Sequence, residues 1–122
     1  MRCSSAASAA TAVTADQPVL TTVDALVAEH GSTRYTEFVR VPALSLGLFA
    51  VGAGHEDTQS PHAEDEVYVV VAGRATLVVD GARTAVSAGS VAYVPARVPH
   101  RFEDVTEDLR VYVVFAPPET ST

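Results

Sequence analysis

The sequence predicts an all-β sandwich or barrel preceded by one short helix. Three observations carry this reading. From Arg34 onward, apolar and polar residues alternate in short runs rich in Val, Tyr, Phe and Leu, the period of strands with one buried face. Gly, Pro and Asp punctuate those runs at close intervals, as tight turns require. A chain of 122 residues that is 48% apolar and 19% charged can bury one core and leaves little room for a second domain.

Each element follows in order. Met1 to Pro18 is a low-complexity stretch of small residues with little side-chain area to bury, expected to be a flexible tail. Thr22 to His30 (TVDALVAEH) reads as a helix, with Thr22 as N-cap, Asp24 in the first turn, apolar Val23, Leu26 and Val27, and Gly31 as the stop. Eight strands are then expected: Arg34 to Val41, Leu44 to Ala53, Glu66 to Val71, Arg74 to Val79, Arg83 to Val86, Val91 to Val94, His100 to Asp104 and Leu109 to Ala116. Ala72-Gly73 and Asp80-Gly81 read as hairpin turns, and Pro95 and Pro99 bracket a loop that leads to His100.

Charge and cysteine usage bound the partners. A net charge of -7 and a pI near 4.9 oppose binding to nucleic acid or to an anionic membrane surface. Cys3 has no partner for an internal disulfide, so a cytoplasmic home is the default. No apolar run reaches the length of a transmembrane span.

His, Asp and Glu concentrate between Gly54 and Gly73, with one more histidine, His100, after the Pro-bracketed loop. His62 and Glu66 are four residues apart and share strand parity, so both can face a barrel interior and meet an inward His100. Two imidazoles and a carboxylate would hold a divalent ion and leave positions open for water or substrate. Parity also puts Tyr68 and Phe102 on the faces of Glu66 and His100, where they serve the core or line a cavity. Arg97 is read either as a contact for an anionic substrate or as a surface cation at the barrel mouth. Glu56, Asp57, Glu64, Asp65, Glu107 and Asp108 read as solvated loop charge, and His30 and His55 carry no assigned role.

At this point the sequence resembles the cupin superfamily, the RmlC-like cupins, whose fold is a double-stranded β-helix or jelly-roll barrel. The first cupin motif, G-x5-H-x-H-x3,4-E-x6-G, is matched by Gly54-x5-Ser60-x-His62-x3-Glu66-x6-Gly73. The second, G-x5-P-x-G-x2-H-x3-N, is matched by Gly89-x5-Pro95-x-Arg97-x2-His100-x3-Asp104. Every spacing agrees, while Ser60, Arg97 and Asp104 depart from the family residues. The resemblance implies a small single cupin domain over residues 19–118, with residues 119–122 a flexible C-terminus. It implies the metal ligands His62, Glu66 and His100, with Glu66 also a candidate catalytic base. The fourth ligand is open among Gln59, Ser60 and His55. Gln59 is favoured because Pro61 can bend the strand and upset strict alternation.

The cofactor implied is one divalent transition metal: Fe, Mn, Ni, Zn or Cu. The function implied is a metal-dependent small-molecule enzyme, in first place a dioxygenase-like oxidoreductase. A non-redox isomerase or lyase and a non-catalytic small-ligand or metal-binding cupin are the alternatives. A homodimer is expected, because cupins commonly pair and the outward Val67, Val69 and Val71 need cover.

Overall fold

The computed structural model describes residues 17–30, 34–57 and 61–120. Most of the expected N-terminal tail, Gln59 and Ser60 lie outside these residues. Helix α1 spans Val23–His30. It begins where its cap predicts, with the Ala25 amide donating to Thr22 Oγ1 at 3.1 Å and Asp24 favourably placed in the first turn. Six strands follow: β1 (Tyr35–Arg40), β2 (Ser45–Val51), β3 (Asp65–Val79), β4 (Ala82–Ser87), β5 (Val91–Val94) and β6 (His100–Ala116). All pairings are antiparallel, in the order β1-β2-β6-β3-β4, with β5 also on β3.

Six strands stand where eight were expected, because two predicted breaks are bends inside long strands. Ala72-Gly73 is no hairpin. β3 and β6 run side by side from Asp65↔Ala116 to Val79↔His100, with register shifts between Val70 and Thr76. Gly73 sits at the bend with φ +94°, and a Cβ there would strike the Asp108 carbonyl and the Leu109 backbone. The close approach of two backbones, and not a chain reversal, is what requires glycine. Before the bend β3 pairs with β5 (Glu66↔Val94) and after it with β4 (Arg74↔Ser87). One strand thus serves both halves of the barrel. Asp80-Gly81 is a true two-residue hairpin turn between Val79 and Ala82, with both residues at positive φ.

Strand alternation sorts the side chains. Tyr35, Phe49, Tyr68, Leu77, Phe102, Leu109, Val111, Val113 and Phe115 fill the interior, and their burial is the main term holding the barrel closed. On the outside, Leu26 of α1 packs with Phe38 and Leu48, so the helix covers the outer face of β1 and β2. Residues 119–122 were expected to be a flexible terminus, but Glu119 is buried. Its amide donates to Ser45 Oγ at 2.9 Å, its carbonyl accepts from Arg40 at 2.9 Å, and the Thr120 hydroxyl donates to Glu64 at 2.8 Å. No helix among the described residues is long and apolar enough to cross a membrane.

Candidate metal centre

The segment that opens β3 builds one wall of the site. His62, Glu64, Glu66 and Tyr68 alternate with outward residues, and all four are buried, as period-2 geometry requires. Two bonds from the β5–β6 loop fix this segment. The Arg97 amide donates to the His62 carbonyl at 2.7 Å, and the Ala96 amide donates to Asp65 Oδ1 at 2.9 Å. The same loop then delivers His100 to the opposite wall. Arg97 takes φ +66° and Asp104 φ +50°, so the two departures from the second motif keep the left-handed backbone that Gly and Asn adopt readily.

His62, Glu66 and His100 converge. His62 Nε2 lies 3.6 Å from Glu66 Oε1, and His100 Nε2 lies 2.7 Å from Glu66 Oε2. The imidazole rings are 6.1 Å apart. The His100–Glu66 contact is at ion-pair distance and is the one polar contact these groups make with each other at under 3 Å. His62 Nε2, both Glu66 oxygens and His100 Nε2 are all buried without a hydrogen-bond partner. Buried atoms of this kind are costly in an apolar interior, and imidazole nitrogens and carboxylate oxygens are the donor types of divalent-metal sites. In donor type these residues suit a divalent ion.

The far side of each imidazole supports this orientation. His100 Nδ1 lies 2.7 Å from the Val98 carbonyl, which accepts a hydrogen bond from the Nδ1–H form and so makes Nε2 the nitrogen available to a metal. His62 Nδ1 lies 3.4 Å from Glu119 Oε2, a carboxylate placed to do the same. Burial by itself pulls the His100 pKa down, but the adjoining Glu66 carboxylate and the Val98 carbonyl outweigh it and hold the ring above the ordinary histidine value. Aromatic rings wall the site: Phe115 lies 4.9 Å from the His62 ring and Tyr68 5.9 Å from that of His100.

Residues 47–115 match the family model for the cupin domain. The chain belongs to the cupin family. This cupin is 51% identical over 100 residues to the uncharacterized protein SCO3923 of Streptomyces coelicolor, covering 80% of this chain and 95% of that one. In fold it is similar to an RmlC-like cupin of Shewanella frigidimarina, at 23% identity and a TM-score of 0.61 over 68% of this chain and 74% of that one. It is also similar to BH2720 of Bacillus halodurans, at 17% identity and a TM-score of 0.70 over 88% of this chain and 89% of the other.

Among the other candidates for a ligand, His55 is exposed in a turn closed by its amide on the Gly52 carbonyl, away from the buried set. Gln59 and Ser60 fall outside the described residues. Two acids read as solvated loop charge are buried instead: Asp57, which accepts from the Phe102 amide at 2.8 Å, and Glu64. Glu64 shares the parity of His62 and Glu66, a signal present in the sequence that loop composition masked. Glu119 carried no such signal, because only the folded C-terminal segment brings it to His62.

Proposed function

We propose that this cupin is a metal-dependent small-molecule enzyme, in first place a dioxygenase-like oxidoreductase, with His62, Glu66 and His100 as metal ligands and Gln59 as the fourth. The convergence of buried, unpartnered ligand atoms from β3 and β6 is the observation that carries this reading. A divalent transition ion held there supplies Lewis-acid polarisation or, if redox-active, dioxygen activation. The chain contributes the rest. Val98 and Glu119 orient the two imidazoles, Tyr68 and Phe115 exclude water, and Glu66 holds negative charge at the centre. The acidic net charge and ring-lined interior suit a small, uncharged or weakly polar substrate.

A second reading, a non-redox isomerase or lyase, is favoured by one feature. Both Glu66 oxygens lack a hydrogen-bond partner, so a Glu66 outside the coordination set is able to accept a substrate proton. Elemental analysis of the purified protein, followed by oxygen-uptake screening of the iron-loaded form, separates the readings. Stoichiometric metal with substrate-dependent oxygen consumption is the expected result. Turnover without oxygen uptake selects the isomerase or lyase, and metal binding without turnover selects a binding protein. For the fourth ligand, Gln59→Ala should weaken metal binding about tenfold. If Gln59→Ala is silent while Ser60→His raises affinity, position 60 faces the metal instead.

The same proposal includes a homodimer. Val91 and Tyr93 on β5 are largely exposed, and they pair with Val69 and Val67 of β3, forming an apolar outer strip suited to a second copy.

A further inference from the structure

The inner position uses the Nε2 side of His62, and a second set of ligand atoms stands on its Nδ1 side. On that side, His62, Glu64 and Glu119 offer ligand atoms that all lie within 4.8 Å of one another, and all three residues are buried. Glu64 accepts the Thr120 hydroxyl at Oε2, but its Oε1 is buried with no hydrogen-bond partner. An ion bound by His62 Nε2, Glu66 and His100 satisfies every other orphaned atom of the site and leaves Glu64 Oε1 as it is. A lone carboxylate oxygen in that position calls for a cation of its own.

We propose that Glu64, Glu119 and Nδ1 of His62 form a second cation position, selective for a hard divalent ion such as Mn2+. Two carboxylates and one imidazole present more charge and harder donors than the two imidazoles and one carboxylate of the inner position, which suits softer ions such as Zn2+. The outer position is also preorganised. Ser45 and Arg40 fix the Glu119 backbone from β2 and β1, and Thr120 orients Glu64. A neutral imidazole has a single lone pair, on whichever nitrogen lacks the proton. His62 therefore serves one position at a time, through Nε2 inward or through Nδ1 outward, and the two positions compete. The outer position does not depend on the inner one holding a metal.

The test is a Mn2+ titration read by electron paramagnetic resonance and a Zn2+ titration read by calorimetry, on the full chain and on Glu64→Gln, Glu119→Gln and His100→Ala. The two carboxamide variants keep side-chain shape, and circular dichroism checks folding; Glu64→Gln alone carries the test, because Glu119 also faces His62 Nδ1. Each should weaken Mn2+ binding by about tenfold or more, and Glu64→Gln should leave Zn2+ binding within about threefold. His100→Ala should do the reverse. Unchanged Mn2+ affinity in the folded carboxamide variants overturns the proposal, as does Mn2+ loss in His100→Ala equal to theirs. Zn2+ binding indifferent to His100→Ala, with Mn2+ still dependent on Glu64, removes the inner assignment and upholds the outer one.

Discussion

His62, just before β3, is held by the Arg97 amide on its carbonyl and by ring packing against Phe115, and His100 by the strand pairing that opens β6, none of which needs a bound ion. Replacing either with alanine should therefore reduce bound metal by about tenfold or more while circular dichroism stays that of a folded β protein. Metal analysis of the purified variants checks this, and full retention in both would refute the assignment. The raised pKa of His100 gives a pH dependence of definite sign. Without metal, a group whose folded pKa exceeds its unfolded value contributes stability that is fully present below about 6.5. That stability is lost as pH rises through the folded value. Metal binding runs the other way, because the imidazolium has no lone pair to donate: affinity should rise over the same window. Thermal melts of the metal-free and metal-loaded protein across that range should show opposite trends. At this scale the sequence was readable where spacing and parity acted together, as for His62, Glu66 and His100. It was silent on Glu119, whose role depends on a contact between chain segments more than 50 residues apart, 62 and 119.

Among the elements, α1 and the Asp80-Gly81 hairpin were legible because each is decided by local chemistry: a capping hydroxyl in one, two positive-φ residues in the other. The continuity of β3 and β6 was not. A glycine after alanine looks the same in sequence whether the chain reverses or bends past a neighbouring backbone, and only the pairing with Asp108 and Leu109 distinguishes them. Gly73→Ala combines a strained φ with a backbone clash and should destabilise the protein by about 2–3 kcal/mol. Gly54→Ala keeps a positive φ but meets open space, and should cost about 1 kcal/mol. Urea titrations of the two variants measure the difference, and equal losses would show that the clash relaxes without penalty.

For the molecule as a whole, two outer faces are treated unequally. α1 covers β1 and β2, whereas among the described residues the strip around Val91 and Tyr93 has no such cover. Light scattering at micromolar concentration should report a dimer, and Tyr93→Glu should shift it to monomer without loss of fold; a wild-type monomer would count against the strip as an interface. The long pairing of β3 with β6 has a further effect, on timing. β3 is complete at Val79, but its partner, which also carries β2, extends to Ala116. At roughly 5–20 residues per second of synthesis, the ribosome holds a nascent chain for a few seconds in which apolar β2 and valine-rich β3 both present open edges. The barrel cannot close until β6 has been made. It must close after the final strand emerges, so expression yield should respond more to temperature and chaperone supply in those seconds than to the stability of the finished fold.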